Sequence, residues 1–532
     1  MSTVQLQGTL QADDLLYPLL DGYFESPDEE LYYDDIALMG LTIGQQVSLT
    51  LESEFTGELE IFSSNDFRQN LGSQTTFIVE SEGDYVVRVT SFNPREIGAY
   101  TLTTSAGTLE PVPPYQAEAL VQEGQYRWQN RPLGKRVTLT YSFMEELPSY
   151  YRPNRKGQWE GNTAGNFKPM TQPQREAVEL ALQEWEKVSG IKFREVSDRN
   201  SVQLRFGAAE DLDRNNPSFG WAYYPSEGRF IGGDMWLNHK DPSNRNPVPG
   251  SLGFSTILHE IGHALGLSHP FDELFTLPKA QSTIQYTVMA YDKHPHLPEK
   301  YQPDAPMLYD IAAIQQLYGR NPKTNRGNTV YRWQLGETFI ETIYDTGGTD
   351  TVNARNQRQD VVINLGAGQF SSIGSFRRKP IKDNVAIAFG VTLENAIGGA
   401  GNDTLIGNEG SNQLTGSSGA DVLIGLAGND QLTGGAGDDT FVFQTENDGV
   451  DTITDFAQGN DTIDVSPLLT QVGYAGADPL LEGILTASVQ QGSIAVLFDR
   501  DGVGGNAPAA ALAILENFTD VQALNNSIKF VS

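Results

Sequence analysis

The chain of 532 residues contains no cysteine. Disulfide bonds, thiolate zinc ligands, thiol nucleophiles and a cysteine-based latch on an inactive precursor are therefore excluded. Basic residues are also scarce, because 36 Lys and Arg stand against 68 Asp and Glu, which gives a formal net charge of −32 at pH 7. A surface this acidic argues against nucleic acid and anionic membranes as partners, and it suits calcium, which prefers oxygen ligands.

Long apolar runs are missing too. No stretch approaches the roughly 20 apolar residues that a helix needs to cross a bilayer. The first 14 residues have no basic start and no apolar core, so they do not read as a secretory signal peptide. These absences alone predict a cytoplasmic protein, an expectation that the C-terminal repeats reverse. The length predicts three or more domains.

Residues 1–108 are predicted to form an all-β sandwich. Apolar and polar residues alternate with the period of half-buried strands at 46–51, 57–62, 84–89 and 98–103. This pattern, with its Gly-x-Tyr-x-Leu ending, resembles the pre-peptidase domains that accompany secreted proteases. A generic sandwich without a site of its own is the alternative. The proline-rich stretch that follows indicates a domain boundary, and 109–133 is interpreted as a linker and entry segment.

Residues 134–320 have an α+β pattern. A strand is predicted at 137–143, then a helix from about 172 to 189 that Thr171 and Gln174 open as a capping box. Further strands are predicted at 191–195, 202–206, 221–224 and 233–238, and a closing helix at 306–319. This order places a metal site below an edge strand, to which a substrate peptide can add as an extra strand.

Three of the six histidines lie within the eleven residues 259–269. On a helix, His259 and His263 project from the same face one turn apart, so both imidazoles can bind one ion, and imidazole suits zinc. A continued helix would carry His269 about 9 Å along the axis from His263, which is too far. Gly266 is expected to end the helix with a positive φ and to turn His269 back to the same ion.

Glu260 follows the first zinc ligand and is expected to face the fourth coordination position, where water binds. Zinc lowers the pKa of its water toward about 7. Glu260 is therefore expected to take a proton as this water attacks a peptide carbonyl, and to return it to the leaving amine. A chance pair of histidines without a metal is the alternative, and the third histidine and Gly266 argue against it.

The stretch 259–269 resembles the long zinc signature of the metzincin endopeptidases, and the Pro270 that follows is similar to the serralysin branch. The resemblance extends from about residue 117 to the end. It implies a Met-containing turn below the zinc, which 287–291 matches, with Met289 as an apolar floor. It also implies that Tyr291 is a conditional zinc ligand that swings away to stabilise the oxyanion.

Two neighbouring features stand outside this resemblance. The segment 271–286 does not follow the Gly-rich continuation usual in serralysins, so no cleavage specificity is carried over. His294 and His296 lie outside the motif and are expected to be surface loop residues rather than ligands.

From Gly398 the sequence repeats every nine residues in five consecutive copies. This is the Gly- and Asp-rich (RTX) repeat of calcium-binding parallel β-rolls, in which six residues form a turn and three a strand. A flexible linker is excluded because an apolar residue recurs at the eighth position of each nine-residue copy, and this residue should point into the roll. Asn412 and Glu409 depart from the pattern, so a site in the second copy is expected to be weak or absent. The predicted calcium ligands of the repeats are Asp403, Asp421, Asp430 and Asp439, with turn carbonyls of Gly399, Gly401, Gly419, Gly428, Gly435 and Gly437.

The likeness to serralysins implies further calcium ligands before the repeats, namely Asp345, Gly347, Gly348, Asp350, Thr392 and Glu394. Asp455 is a weaker candidate after them. Without calcium the carboxylates of the roll repel one another, so the segment 321–532 is expected to fold outside the cell. Proteins with such repeats leave through type I secretion machinery by an uncleaved C-terminal signal, and the apolar residues 528–532 fit one.

The sequence thus predicts a multidomain protein, with an all-β sandwich, an α+β metzincin zinc-protease domain and a calcium-binding parallel β-roll that carries the C-terminal secretion region. The expected function is a secreted, monomeric zinc endopeptidase that cleaves protein or peptide substrates and is stabilised by calcium. One alternative is a non-catalytic calcium-dependent adhesin or surface protein with a structural zinc, which needs neither Glu260 nor Tyr291. Another is a metalloenzyme with a non-peptide substrate, which the edge strand disfavours.

Overall fold

The computed structural model describes residues 118–121, 127–128, 133–151, 165–210, 218–225, 231–271, 276–456, 460–502 and 509–530, and, before residue 112, the backbone of nine strands. These strands form two antiparallel sheets, of order β1-β8-β4-β6 and β2-β3-β7-β5, with β9 paired to β3. All four predicted strand patches overlap strands of this region. Packing of the sheets into a sandwich stays a prediction. The strands are Val4–Thr9 (β1), Leu15–Pro18 (β2), Glu30–Met39 (β3), Gln46–Ser53 (β4), Gly57–Ser63 (β5), Thr76–Ile78 (β6), Tyr85–Ser91 (β7), Ala99–Thr104 (β8) and Thr108–Pro111 (β9).

The middle of the chain is an α+β unit built on a mostly parallel sheet of order β12-β10-β13-β15-β14, with β11 added to β13. The first four strands in this order run parallel, and β14 runs antiparallel to β15 at the edge. The predicted edge strand beside the histidine helix is therefore confirmed. The strands are Val137–Phe143 (β10), Gly165–Lys168 (β11), Ile191–Glu195 (β12), Leu204–Glu210 (β13), Gly220–Ala222 (β14) and Asp234–Asn238 (β15).

Four helices belong to this unit: Glu118–Val121 (α1), Gln172–Val188 (α2), Leu252–Leu265 (α3) and Leu308–Tyr318 (α4). Short 3₁₀ helices span Ser149–Tyr151 and Pro242–Arg245. At the start of α2 the Thr171 N–H donates to Gln174 Oε1 (2.9 Å), one half of the predicted capping box. Helix α2 packs on α3 through a stripe at helical spacing that includes Val178, Leu182 and Trp185. Burial of each such side chain contributes roughly 1.5–3 kcal/mol.

Helix α3 is enclosed on all sides, since every residue from Gly253 to Leu265 is buried, which makes it the central helix of the unit. Ser251 caps its N-terminus by accepting the Phe254 N–H (3.3 Å). His259 and His263 are thus carried on an enclosed helix whose surroundings fix their positions.

The C-terminal part winds into two long sheets, and each contributes a row of buried side chains to the interior. The first has order β16-β18-β24-β26-β28-β30-β34-β33-β32 and the second β19-β25-β27-β29-β31-β35. Successive repeats alternate between the sheets, so residues 18 apart pair in parallel, as Leu414 with Leu432 and Leu405 with Leu423. All five apolar residues at the eighth repeat position are fully buried, which confirms their inward orientation: Leu405, Leu414, Leu423, Leu432 and Phe441.

The strands of this part before the repeats are Val330–Tyr331 (β16), Glu341–Ile343 (β17), Thr351–Asn353 (β18), Val362–Asn364 (β19), Phe370–Ser371 (β20), Ser375–Phe376 (β21), Lys379–Pro380 (β22) and Val385–Ile387 (β23). Those within and after them are Asn395–Ile397 (β24), Thr404–Ile406 (β25), Gln413–Ser418 (β26), Val422–Ile424 (β27), Gln431–Ala436 (β28), Thr440–Val442 (β29), Asp451–Ile453 (β30), Thr462–Asp464 (β31), Leu485–Gln490 (β32), Ser493–Phe498 (β33), Ala510–Leu515 (β34) and Ile528–Lys529 (β35). Two helices accompany them, Ser466–Gln471 (α5) and Val521–Ser527 (α6). Among the described residues no helix has the length and apolar character to cross a membrane.

Two predictions differ from the structure. The segment interpreted as linker and entry, 109–133, begins inside β9, which pairs with β3 up to Pro111. Within this segment, Ala119, Leu120 and Val121 are buried against the α+β unit, because their apolar side chains complete its core. The surface-loop prediction for His294 is wrong, since this side chain is fully buried.

Candidate metal centre

The turn after α3 brings the third histidine back to the first two. Gly266 ends the helix in a left-handed conformation (φ 110°), as predicted, and its N–H reaches the carbonyls of Gly262 and His263. The next residues are held in place, because the Leu267 N–H donates to Gly262 O (2.9 Å) and the Ser268 N–H to Leu120 O (2.8 Å). Helix α1 therefore helps to fix the backbone immediately before His269.

The three imidazoles converge through their Nε2 atoms. His269 Nε2 lies 3.2 Å from His259 Nε2 and 3.0 Å from His263 Nε2, and all three residues form the metal-ligand cluster found among the described residues. Two ligands at about 2.05 Å from a tetrahedral zinc are about 3.3 Å apart, so this spacing fits one zinc ion.

The far nitrogens of two of these rings are bonded to backbone carbonyls. His259 Nδ1 contacts Val288 O (2.8 Å) and His263 Nδ1 contacts Leu267 O (2.7 Å), so the Nδ1 atoms carry the protons and the Nε2 lone pairs face the common centre. Burial lowers the pKa of His259 to about 4, with a further contribution from the nearby His269, and burial also holds the pKa of His263 well below its usual range. Both rings are neutral at pH 7, the form that binds zinc.

Met289 lies beneath α3, where the resemblance predicted a floor. A Cβ at Gly262 would come within 2.5 Å of Met289 Sδ, so only glycine leaves room for this sulfur. Asp310 of α4 anchors the turn, since its carboxylate accepts the Thr287 hydroxyl (2.6 Å) and the Val288 and Met307 N–H groups (2.7 and 2.8 Å). Burial raises the pKa of Asp310 to about 7.

Glu260 is enclosed between α3 and the edge strand β14. Its Oε2 atom is buried and has no hydrogen-bond partner among the described residues. Burial raises the pKa of Glu260 to about 8. A Cβ at Gly220 of β14 would lie 3.1 Å from Glu260 Cγ, so a glycine allows the edge strand to pass close to the carboxylate. An unpartnered buried carboxylate of this kind is costly and is typical of functional sites.

Aromatic side chains surround the histidines. The Tyr291 hydroxyl lies 2.8 Å from His269 Nε2, although 69 % of its side chain is exposed. Phe271 stacks on the His269 ring (centroids 5.0 Å, 7°) and packs against Tyr291. Tyr224, which sequence reasoning treated only as the end of a strand, turns its ring edge to His263 at 5.4 Å. A cavity of about 430 Å³ adjoins Tyr291 and is lined also by Phe271, Thr276, Leu277, Lys279, Ser282 and Asp292.

Three of the predicted calcium ligands of the repeats, Asp403, Asp421 and Asp439, form a ladder of hydrogen bonds across the strands of the second sheet. The Asp403 N–H donates to Asp421 Oδ1 (2.8 Å), the Asp421 N–H to Asp439 Oδ1 (2.9 Å), and the Asp439 N–H to Asp461 Oδ1 (3.1 Å). The Oδ2 atoms of Asp421 and Asp439 are buried without a hydrogen-bond partner. Burial is the main cause that raises the pKa values of Asp403, Asp421 and Asp439 to about 6.

A second ladder follows the first sheet. The Asn412 N–H donates to Asp430 Oδ1 (2.7 Å) and the Asp430 N–H to Asp451 Oδ1 (3.1 Å), while Asp430 Oδ2 is buried without a partner. Asn412 differs, because its amide donates to the Glu394 carbonyl (3.2 Å) and its Oδ1 accepts the Asn408 N–H (2.7 Å). The departure noted at this position therefore replaces an orphaned oxygen by a satisfied amide.

The ladders continue through Asp451 and Asp461, which the repeat pattern did not predict. Asp455, the weaker candidate after the repeats, accepts the N–H groups of Gly434 and Gly435 (3.0 and 2.9 Å). The spacing along the ladders grows from 18 residues to 21 and 22 at this point, which breaks the nine-residue pattern. The Asp-Thr-Ile triplets at 451–453 and 461–463 are the sequence feature that identifies the continuation.

The glycines predicted as ligands occupy the turns between these rows. Four of them have positive φ, from 105° to 148°: Gly419, Gly428, Gly435 and Gly437. Gly399 and Gly401 pack against the backbone of 354–360 so closely that a Cβ would approach within 2.7 and 2.5 Å.

The ligands predicted before the repeats are partly brought together. The Asp350 N–H donates to Glu394 Oε2 (2.7 Å), and Asp350 Oδ2 is buried without a partner. Asp345 Oδ1 accepts the N–H of Gly347 (2.8 Å), and Gly347 and Gly348 both have positive φ. Thr392 is exposed, two residues before Glu394.

Comparisons with known proteins agree with this architecture. The family model described as Matrixin matches residues 163–319, and the model described as Peptidase M10 serralysin C terminal matches residues 309–477. Serralysin G of Dickeya chrysanthemi is 38 % identical over 383 residues, which cover 66 % of this chain and 77 % of the relative. Serralysin of Photorhabdus luminescens is 38 % identical over 401 residues, covering 69 % and 79 %.

Metalloprotease AprA of Pseudomonas entomophila is 37 % identical over 386 residues, covering 66 % of this chain and 76 % of the relative. A solved structure, the AlgE6R3 subunit of the Azotobacter vinelandii mannuronan C5-epimerase, is 30 % identical and covers 26 % of this chain and 78 % of that chain. Its TM-score of 0.21 gives no support to a fold assignment.

Proposed function

Because this chain belongs to the serralysin family and is a zinc metalloendopeptidase, we propose that Glu260 is its general base and acid and that His259, His263 and His269 hold the zinc. The observation that carries this proposal is the buried, unpartnered Oε2 atom of Glu260, one residue from a zinc ligand. When bound, zinc acts as a Lewis acid that makes water more acidic and polarises a carbonyl group.

Glu260 moves the proton in this mechanism. Its carboxylate accepts a proton from the attacking water at Oε2 and passes it to the nitrogen of the leaving amine. Burial raises the pKa of Glu260, so its carboxylate holds a transferred proton more strongly than an exposed carboxylate does. Tyr291 is expected to donate a hydrogen bond to the oxyanion, and the 2.8 Å contact between its hydroxyl and His269 Nε2 supports this role.

The substrate peptide is expected to lie along β14 as an additional strand. This strand is at the edge of the sheet and passes beside Glu260, so a peptide paired to it would bring its carbonyl groups to the zinc. The 430 Å³ cavity beside Tyr291 is suited to a substrate side chain. Most residues that line this cavity belong to the segment after Pro270 that departs from the family pattern. The substrate side chain that the cavity prefers is therefore expected to be particular to this chain.

Calcium is the expected counterion of the β-roll. The partnerless carboxylate oxygens of Asp350, Asp421, Asp430 and Asp439 support this role, because a buried carboxylate requires a compensating charge. The glycine turns that complete the sites supply carbonyl oxygens. Secretion through type I machinery by a C-terminal signal, function as a monomer, and modulation of substrate access by the N-terminal β unit complete the proposal.

A casein digestion with purified full-length protein tests the mechanism. We expect Glu260→Ala to lower cleavage by about 10²–10⁴-fold while zinc content, measured by atomic absorption, stays at one ion per chain. Glu299→Ala, which removes an exposed carboxylate, is the matched control and should cleave like wild type. Equal cleavage by wild type and Glu260→Ala would reject the mechanism.

A further inference from the structure

The segment that follows Tyr291 contacts the β-roll. His294, three residues beyond Tyr291, is fully buried, and its Nε2 atom lies 3.1 Å from the carbonyl oxygen of Asp383 in the roll. Its Nδ1 atom accepts the N–H of His296 (3.2 Å). The family match and the proposed mechanism use neither His294 nor this contact.

The hydrogen bonds define the state of the His294 ring. Because Nδ1 accepts a backbone N–H, the proton must be on Nε2, which then donates to Asp383 O. Burial lowers the pKa of His294 and so keeps the ring neutral. The ring is thus a directional link from the catalytic unit to one carbonyl group of the roll.

The roll presents that carbonyl on a constrained loop. Asp383 has a positive φ of 51°, and its N–H donates to Ser372 Oγ (3.0 Å). Two aromatic contacts flank the link, one between Tyr301 and Phe376 (centroids 5.5 Å) and one between Tyr286 and Phe370 (5.0 Å). The acceptor is therefore held by its own sheet and by the junction around it.

The chain between His294 and Tyr291 is short and is held in place by hydrogen bonds. Asp292, between Tyr291 and His294, forms a bridge with Thr283 and accepts the Ile284 N–H (2.8 Å). Only two residues separate Tyr291, whose hydroxyl contacts His269 Nε2, from His294, whose Nε2 contacts the roll. A shift of the backbone at His294 would therefore displace the Tyr291 ring from its contacts with His269 and Phe271.

We propose that His294 is a positioning residue through which the β-roll holds Tyr291 in register with the zinc ligands. The inference rests on the proposed function, since it assigns a purpose to the placement of Tyr291. It makes the calcium-binding roll a direct support of the catalytic machinery in addition to its own folding. His294 touches neither substrate nor zinc, so its effect must pass through Tyr291.

Two replacements separate this role from simple packing. In His294→Gln the side-chain amide nitrogen can occupy the place of Nε2 and keep the bond to Asp383. In His294→Asn the amide oxygen can replace Nδ1 and keep the bond to His296, but the side chain is too short to reach the roll. Both remove the ring, so any difference between them reports the link to the roll.

We expect His294→Asn to lower kcat on a peptide substrate by about tenfold with KM nearly unchanged, because a misplaced catalytic group affects the transition state more than binding. His294→Gln should recover most of this loss. His296→Asn keeps the backbone N–H and serves as the control with wild-type kcat.

A double-mutant cycle with Tyr291→Phe decides the matter. If His294 acts through Tyr291, the double variant His294→Asn/Tyr291→Phe has the kcat of Tyr291→Phe alone. The inference would be overturned if the losses in kcat of the two single variants multiply in the double variant. It would also be overturned by equal kcat values for His294→Asn and His294→Gln, or by a wild-type kcat for Tyr291→Phe. These outcomes differ from failure of the proposed function, which appears as full activity in Glu260→Ala.

If His294→Asn does not fold, Phe376→Ala weakens the same junction from the side of the roll. It should lower kcat by a smaller factor, and this loss should also disappear in the Tyr291→Phe background. A loss that persists there would count against the inference.

Discussion

The proposed zinc centre and the acidic ladders of the roll are both buried arrays of side chains that we propose to bind metal ions, but they are held in opposite ways. At the zinc centre the far nitrogens of His259 and His263 are bonded to backbone carbonyls, and both rings are neutral. In the ladders one oxygen of Asp421 or Asp439 accepts a backbone N–H, whereas the other has no partner.

This difference separates a preformed site from one that depends on its ion. The neutral imidazoles can remain in place without zinc, because the core around α3 fixes their tautomer and orientation. Ionised carboxylates stacked in rows repel one another and lack solvent, so they need a cation to stay folded. Removal of zinc should therefore abolish activity and leave the fold intact, whereas removal of calcium should unfold the roll.

Selective removal of each metal tests the comparison most directly. Withdrawal of zinc with phenanthroline should abolish proteolysis, by about a hundredfold or more, with little change in far-ultraviolet circular dichroism. Withdrawal of calcium with EGTA in zinc-containing buffer should remove the β signal of the roll. Hydrogen exchange in residues 395–465 reports the same loss locally, and exchange there that stays slow in EGTA would refute the distinction.

Asp310→Ala should break the preformed site from below. The substitution leaves the buried N–H groups of Val288 and Met307 without an acceptor, at about 1–3 kcal/mol each. We expect a loss of about 3–5 kcal/mol in the free energy of unfolding and weaker zinc binding, because the Val288 carbonyl orients His259.

Asp310→Asn is the matched control, since its amide oxygen can keep both N–H donors. Denaturant unfolding in saturating calcium gives the stability, and competition with a zinc indicator gives the affinity. A stable Asp310→Ala protein with wild-type zinc affinity would show that the turn below the zinc does not depend on this anchor.

Gly266→Ala should have a smaller effect on the same site. Alanine in a left-handed conformation costs about 1–2 kcal/mol, and relief of that strain would turn His269 away from the other ligands. Zinc affinity should fall more than calcium affinity, and parallel titrations of the two metals measure this directly. An equal change in both affinities would mean that the substitution destabilises the protein without acting on the zinc centre.

Local patterns were sufficient to predict the features that depend on near neighbours. His259, His263, Gly266 and the roll repeats follow from helix geometry and a nine-residue period, and both are encoded within a few residues. His294 was misjudged because its partner Asp383 is 89 residues away. The bond from Ser268 to Leu120, and the anchor of the Met-containing turn at Asp310, are likewise long-range pairings that no local period reveals.

Asn412 offers the test with the smallest expected effect. At this position of the ladder the chain carries an amide with satisfied hydrogen bonds in place of a carboxylate with an unpartnered oxygen. Asn412 occupies the same place as Asp403, since the N–H of each donates to the carboxylate 18 residues later. In Asn412→Asp an oxygen replaces the amide nitrogen that now donates to the Glu394 carbonyl. We expect one additional calcium ion per chain, with a stability gain below about 1 kcal/mol in calcium and a loss of about 1–3 kcal/mol in EGTA.

The reverse change, Asp421→Asn, should remove one ion and make the roll less sensitive to EGTA, because an amide can donate where the orphaned oxygen of Asp421 now lies. Calorimetric titration of both variants against wild type counts the ions. If neither substitution changes the number bound, the orphaned oxygens do not mark the calcium positions. If both change it in opposite directions, a single atom in each rung decides whether the roll is held by its own hydrogen bonds or by an ion.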